Sequence, residues 1–162
     1  MINNWGVFAS EDIKKGESIC FLEGVEKSIP EIREEVINGD ERVNDPLQVT
    51  ENTYIDLEKP YVYFNHSCNP NAGMKGKNEL FAIKDIKQDD EITFDYSTTS
   101  WEENWELPDE KEFAMSCECA SKKCRKIIKD FSHLKDKLKR KYLELGALPD
   151  FIFLKLKNKS WK

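Results

Sequence analysis

The stretch Asn65-His66-Ser67-Cys68-Asn69-Pro70-Asn71 is the part of this chain that decides its fold. It places amides, an imidazole and a thiol side by side. A second stretch, Glu91-Ile92-Thr93-Phe94-Asp95-Tyr96, follows it and joins an apolar run to a tyrosine. Neither stretch is specific alone. Together and in this order, they indicate one site that is assembled from two separate segments.

A cysteine triplet follows the second stretch, in the spacing Cys117-x-Cys119-x4-Cys124. Clustered cysteines in a chain without a recognisable secretion signal favour a metal over disulfides. A structural zinc site needs four ligands, and the triplet supplies three thiolates. The fourth must come from elsewhere, and only Cys20 and Cys68 remain among the five cysteines.

The two stretches and the cysteine triplet resemble the SET-domain protein lysine methyltransferases with a cysteine-rich post-SET segment. The resemblance extends from about Asn4 to Phe131, with order and spacing kept. It implies a mainly β fold with short helices. This would be the SET-domain β-clip fold with a knot-like crossing of the two stretches and a C-terminal post-SET zinc segment plus helix. We expect a SET domain over residues 4–100, a post-SET zinc segment over 101–131, and a basic C-terminal helix and tail over 132–162.

Local patterns add several secondary-structure predictions. Short strands are expected in residues 5–25, 53–55, 80–83 and 92–94, and a helix over 29–38. Ser132 is predicted to cap a final helix whose apolar stripe runs from Leu134 to Leu145 and which Gly146 ends. Residues 151–156 read as an apolar patch in a basic tail.

The resemblance implies a role for each site residue. Tyr96 takes the position of the catalytic tyrosine, whose hydroxyl orients the lysine amine. The cofactor S-adenosylmethionine is expected to bind the Asn65 side chain and the His66 backbone. The remaining cofactor-binding candidates are Trp5, Gly6 and Ile128. Cys68 becomes the implied fourth zinc ligand, with Cys117, Cys119 and Cys124.

A channel for the substrate lysine needs aromatic walls, since ring faces favour a methylated ammonium. The channel candidates are Tyr54, Phe94, Trp101 and Trp105, and the alternative for Tyr54 and the two tryptophans is plain packing. Phe94 resembles the position that limits the number of methyl groups. A phenylalanine there lacks the hydroxyl that would hold a water against the amine, which predicts more than one methyl addition.

Charge is distributed unevenly. Residues 122–162 contain 14 basic and 4 acidic residues, although the whole chain has a net charge of −6. The rest of the chain, residues 1–121, is therefore acidic, and we call it the acidic body. Such a body suits a basic protein partner such as a lysine-rich histone or ribosomal protein, because long-range electrostatic fields steer association. It disfavours direct nucleic-acid binding through the basic tail. The alternative function is a non-catalytic SET-fold module that binds lysine-rich peptides.

The sequence also predicts where the protein acts. No run approaches the roughly 18 apolar residues that span a bilayer, so no membrane association is expected. The N-terminus lacks the pattern of a signal peptide. We expect an intracellular protein, cytoplasmic or nuclear depending on the host.

Overall fold

The computed structural model describes residues 5–38, 46–101 and 114–158. The strands are β1 (Ser18–Phe21), β2 (Gly24–Ser28), β3 (Pro46–Gln48), β4 (Thr53–Leu57), β5 (Asn65–His66), β6 (Ala72–Lys75), β7 (Glu79–Ala82), β8 (Thr93–Phe94), β9 (Met115–Ser116) and β10 (Ile127–Ile128). The α-helices are α1 (Ile29–Ile37), α2 (Asp136–Glu144) and α3 (Asp150–Asn158). Short 3-10 turns cover Tyr61–Tyr63, Tyr96–Thr98 and Phe131–His133.

The strands form small sheets, as expected for a mainly β fold with short helices. One sheet has the antiparallel order β1-β7-β6, and another has the antiparallel order β2-β4-β3. Strands β9 and β10 make an antiparallel pair beside the cysteines. Strands β5 and β8 pair in parallel, which brings the two signature stretches together. Threading of one stretch through the other stays a prediction.

The first hydrophobic core contains side chains from β3, β4, β6, β7 and β8. Leu22, Met74 and Leu80 are fully buried in it. Each fully buried aliphatic side chain contributes roughly 1.5–3 kcal/mol to folding. This core holds β8 in place, because Phe94 of β8 is one of its members.

A second core joins the C-terminal helices to the sheet. Side chains alternate between the two faces of a strand, so Leu80 and Ala82 of β7 enter the first core while Phe81 enters the second. Tyr142 of α2 and Ile152 of α3 are buried there with Phe81. The core crosses the boundaries predicted at residues 100 and 131, and that division into segments stays a prediction.

A glycine permits the close approach of the α2–α3 connection to the sheet. A Cβ atom on Gly73 would lie 2.7 Å from the Cβ of Ala147 and 3.0 Å from Cγ2 of Ile83. The 2.7 Å contact is too short for two carbon atoms, so a side chain at this position would displace its neighbours. Gly73 therefore sets how near the C-terminal segment can pack.

The C-terminal helices differ from the sequence prediction. Helix α2 begins at Asp136, after Lys135, and Ser132 lies in the preceding 3-10 turn, where its hydroxyl donates to Asp130. The prediction of Ser132 as cap was wrong, because the extended residues Leu134 and Lys135 separate its turn from the first residue of the helix. Gly146 ends the helix as predicted, with a φ of 62°. Helix α3 was missed, although Leu148, Ile152 and Leu156 recur every four residues.

None of the helices in residues 5–38, 46–101 and 114–158 is long and apolar enough to cross a membrane.

Candidate functional site

The site forms where β5 and β8 run side by side. Asn65 pairs with Thr93 and His66 with Phe94, and the Ser67 amide continues the ladder to the Phe94 carbonyl at 3.0 Å. The Asn71 side chain fixes this register from the flank. Its amide donates to the Glu91 carbonyl at 2.8 Å and its oxygen accepts the Thr93 N–H at 2.9 Å.

Tyr96 lies two residues after the end of β8 and is half-buried. Its hydroxyl donates to the Phe64 carbonyl at 2.7 Å, and its backbone N–H donates to Nδ1 of His66 at 3.2 Å. The Phe94 ring centroid lies 4.9 Å from the Tyr96 ring and that of His66 lies 5.3 Å away. A hydroxyl whose proton is committed to a carbonyl presents oxygen lone pairs to an approaching N–H.

Asn65, Gly6 and Glu91 form a polar cluster that we call the amide cradle. The Asn65 amide donates to the Trp5 carbonyl at 2.8 Å and to Oε1 of Glu91 at 2.7 Å. A Cβ on Gly6 would lie 2.6 Å from that same Oε1. Because both amide hydrogens of Asn65 are used, its oxygen and the Glu91 carboxylate are the groups suited to a cationic ligand.

Glu91 was not predicted from the sequence. The signal available was an acidic residue at the start of the second signature stretch. Trp5 lies at the rim of the cradle, 69% exposed, with its ring 6.1 Å from that of Tyr63. An exposed aromatic ring beside a polar cluster is suited to cover a flat ligand.

His66 connects the cradle to the cysteines. Burial lowers the pKa of His66 to about 4, against the opposing influence of Asp95, so the ring is neutral near pH 7. Since Nδ1 accepts the Tyr96 amide, the ring proton belongs on Nε2. Nε2 lies 3.2 Å from Sγ of Cys68, so His66 donates a hydrogen bond to that sulfur.

The cysteines gather beside His66. The ligand atoms of His66, Cys68, Cys117 and Cys119 all lie within 4.8 Å of one another. Sγ of Cys68 is 3.8 Å from Sγ of Cys117. Zinc–sulfur bonds of about 2.3 Å in a tetrahedron also place neighbouring sulfurs about 3.8 Å apart. The donor set therefore fits Zn²⁺.

Cys124 lies next to this group rather than in it. It packs against the buried Cys68 and Cys117, and its Sγ donates to the Cys117 carbonyl at 3.3 Å. The sequence predicted Cys124 as a ligand, and the structure brings together the other three predicted ligands with His66 in the fourth place. With its ring proton on Nε2, His66 contacts this group as a hydrogen-bond donor to the Cys68 sulfur.

The thiols of the group differ in proton affinity. Burial raises the pKa of Cys117 to about 12. Burial acts in the same direction on Cys119, but N–H groups of Cys68 and Ser121 outweigh it and lower the pKa to about 7. Cys20 is separate, and burial raises its pKa to about 11, as expected for a thiol in the core.

Three predicted residues lie in packed surroundings. Ile128 is fully buried within the cysteine group. Tyr54 packs with Ile29 and Ile32 of α1, and Trp101 packs on Phe131 in the second core. These environments favour the packing alternative for Tyr54 and Trp101 over a channel wall beside Tyr96. Trp105 lies outside the described residues.

The paired strands, the tyrosine at their end and the adjoining cysteine group define a SET-type protein. The family model described as SET domain matches residues 4–97, more than half of the chain. The chain belongs to the SET-domain family.

Relatives with curated names support this membership. A histone-lysine N-methyltransferase, H3 lysine-4 specific, of Aspergillus oryzae is 30% identical over 140 residues, which is 78% of this chain and 11% of that protein. A variant-silencing SET domain-containing protein of Plasmodium falciparum is 32% identical over 137 residues, covering 74% of this chain and 5% of the other. The chain thus spans a small fraction of the length of these relatives.

Solved structures show the same fold. The methyltransferase domain of human histone-lysine N-methyltransferase SETMAR has a TM-score of 0.58 and 25% identity, covering 77% of this chain and 54% of that one. KRYPTONITE in complex with mCHH DNA, H3(1-15) peptide and SAH has a TM-score of 0.53 and 23% identity, covering 78% and 27%. The SET fold predicted from the sequence is confirmed.

Proposed function

We propose that this chain is an S-adenosylmethionine-dependent protein-lysine N-methyltransferase. The observation that carries the proposal is the position of the Tyr96 hydroxyl. It lies 2.7 Å from the carbonyl of Phe64, the residue that precedes Asn65 of the amide cradle in the chain. A binding module would not need a tyrosine oriented in this way beside a cofactor pocket.

The residues present fit the cofactor. Asn65 and Glu91 offer oxygen atoms for an ammonium group, and the missing side chain of Gly6 leaves room for the Glu91 carboxylate. The His66 backbone and the exposed Trp5 ring would hold the remaining parts. When bound, S-adenosylmethionine supplies a methyl group activated by a positively charged sulfur.

The protein must present a neutral amine to that methyl group. Free lysine has a pKa near 10.4 and is protonated at neutral pH. Burial beside Phe64 and Phe94, both about 4% exposed, disfavours the charged amine and lowers its pKa. The Tyr96 oxygen accepts an N–H from the amine and so directs the nitrogen lone pair. Such alignment contributes several kcal/mol to rate acceleration.

The zinc site would tie the C-terminal segment to the cofactor segment. Cys68 follows His66 by two residues, and Cys117, Cys119 and Cys124 come from the later part of the chain. We assign these four thiolates to one Zn²⁺ with a structural role. Metal binding and order of this segment are then coupled.

The substrate is proposed to be a lysine-containing basic protein, first of all a histone. The name of the Aspergillus oryzae relative, a histone-lysine N-methyltransferase specific for H3 lysine 4, supports a histone. The acidic body of the chain is suited to a basic tail. A histone substrate places the activity in a nucleus, and a ribosomal protein would place it in the cytoplasm.

Methyl transfer from radiolabelled S-adenosylmethionine tests the proposal. Native protein is expected to label purified core histones, and Tyr96→Phe is expected to leave them unlabelled. A native protein that binds histone peptides and S-adenosylmethionine yet labels neither histones nor a whole-cell lysate would instead be the non-catalytic module.

A further inference from the structure

A fully buried carboxylate lies immediately before Tyr96. Asp95 is 1% exposed and accepts four hydrogen bonds. Arg125 donates to it twice, from NH1 to Oδ2 and from NH2 to Oδ1, each at 2.6 Å. The Tyr142 hydroxyl donates to Oδ2 at 2.8 Å and the Ser97 amide to Oδ1 at 3.1 Å. We call this set of four residues the Asp95 junction.

The donors of the junction come from three parts of the chain. Ser97 belongs to the turn after β8, Arg125 directly follows the last cysteine of the triplet, and Tyr142 lies on α2. Tyr142 and Arg125 are outside residues 4–97, where the family model matches. Tyr142 is 1% exposed, so α2 places a hydroxyl group where water does not reach.

Asp95 determines how the chain turns into Tyr96. Its side chain caps the 3-10 turn Tyr96–Thr98 by accepting the Ser97 amide. Its carbonyl accepts the Thr98 amide at 2.8 Å and the Thr98 hydroxyl at 2.7 Å. A shift of the carboxylate would therefore move the backbone that carries the Tyr96 ring.

We propose that Tyr142 is a positioning residue for methyl transfer, which holds the Asp95 carboxylate and through it the Tyr96 ring. The inference rests on the proposed function of Tyr96. Arg125 and Tyr142 share Oδ2, and loss of the hydroxyl leaves that oxygen with a single donor in a place closed to water. An underpaired buried carboxylate is costly and relaxes toward its remaining partner. The expected result is a displaced Tyr96 with an undisturbed amide cradle.

Tyr142→Phe removes only the hydroxyl and tests this role. Tyr61→Phe is the matched control, because the Tyr61 hydroxyl makes a longer contact of 3.4 Å with Glu23 at an exposed place. We expect Tyr142→Phe to lower kcat about tenfold, since small misplacements of reacting groups cost up to about a hundredfold. The KM for S-adenosylmethionine should stay within about twofold, and the control should resemble native protein. Rates are measured well below the unfolding temperature of each variant.

Other outcomes would overturn the inference. A Tyr142→Phe protein with a lower unfolding temperature but native kcat would show that the hydroxyl serves stability alone. A raised KM for the cofactor at native kcat would place its effect in the cradle. If native protein transfers no methyl group, the proposed function fails, and amide hydrogen exchange at Ser97 and Thr98 still decides on the junction. Exchange as slow in Tyr142→Phe as in Tyr61→Phe would then reject it.

A second variant changes Arg125, the other side chain that donates to Oδ2 of Asp95. Arg125→Lys keeps the charge but loses the paired donation to Asp95. If Tyr142→Phe yields no folded protein, Arg125→Lys is expected to give the same loss of kcat with little change in cofactor KM. A native kcat in Arg125→Lys would contradict a positioning role for the junction.

Discussion

The hydroxyl of Tyr96 donates a hydrogen bond of 2.7 Å to the carbonyl oxygen of Phe64, the residue that precedes the first signature strand. This contact fixes the direction of the phenol oxygen before any substrate arrives. It also joins the end of the second signature stretch to the start of the first, so the position of one depends on the other.

Replacing Tyr96 by phenylalanine should abolish most methyl transfer. Loss of one hydrogen-bonding group that acts in the transition state costs on the order of a hundredfold in kcat. The cradle does not include the Tyr96 hydroxyl, so cofactor affinity measured by calorimetry should change by less than about threefold. Loss of cofactor binding together with activity would make Tyr96 a structural residue.

The metal site should hold one Zn²⁺ per chain, measured by elemental analysis of protein purified without added metal. Cys124→Ser should lower zinc retention against a chelator by far more than His66→Gln, because we assign only Cys124 as a ligand. Cobalt substitution gives an independent reading, since an all-sulfur site and a site with one nitrogen differ in their visible spectra. A nitrogen-containing spectrum that His66→Gln abolishes would assign the fourth position to His66.

Glu91→Gln should weaken S-adenosylmethionine binding about tenfold, equivalent to about 1.4 kcal/mol. The amide keeps an oxygen for the Asn65 side chain but loses the negative charge that faces the ammonium group. Glu144→Gln, an exposed change at the end of α2, is the matched control and should bind as native protein does. Equal affinity in both variants would remove Glu91 from the cofactor site.

Phe94→Tyr should shift the product toward a single methyl group. The Phe94 ring lies 4.9 Å from Tyr96, so a new hydroxyl there can hold a water where a second methyl would go. Mass spectrometry of a peptide substrate over time reads the product directly, with Phe153→Tyr on α3 as control. Native protein that stops at one methyl with cofactor in excess would refute the prediction.

Gly73→Ala should destabilise the protein by about 1–3 kcal/mol, the usual cost of overpacking. The added Cβ would meet Ala147 at 2.7 Å. Adding Ala147→Gly to this variant removes the clash and should restore part of the loss, measured as the free energy of unfolding in urea. A double variant no more stable than Gly73→Ala would place the strain at Ile83 instead.

The sequence predicted the parts of the site that lie within the signature stretches. Asn65, His66 and Tyr96 do come together, because the parallel pairing of β5 with β8 depends on residues inside those stretches. Three of the four expected metal ligands also meet. The contacts that site residues make with segments outside the signature stretches could not be predicted from these stretches.

The residues missed by sequence reasoning act across long separations. Glu91 lies inside the second signature stretch, but its carboxylate meets the Asn65 amide across 26 positions, beside Gly6 of the N-terminal segment. Tyr142 reaches Asp95 across 47 positions, and on the sequence it reads as one more apolar member of a helix stripe. Tyr54 and Trp101 were predicted as channel walls because they are aromatic. In the structure Tyr54 is buried against α1 and Trp101 is buried against the C-terminal segment, and neither contact can be read from the sequence around these residues.

The second hydrophobic core determines which fragments of this chain can fold. The family match ends at residue 97, between Phe81 and Ile83 on one side and the C-terminal side chains that cover them on the other. A fragment cut there would expose both side chains and lose Tyr142 from Asp95. We expect such a fragment to aggregate, and the full chain to unfold in a single cooperative transition. We therefore expect the smallest fragment that folds to extend through α3, because this core contains side chains of that helix.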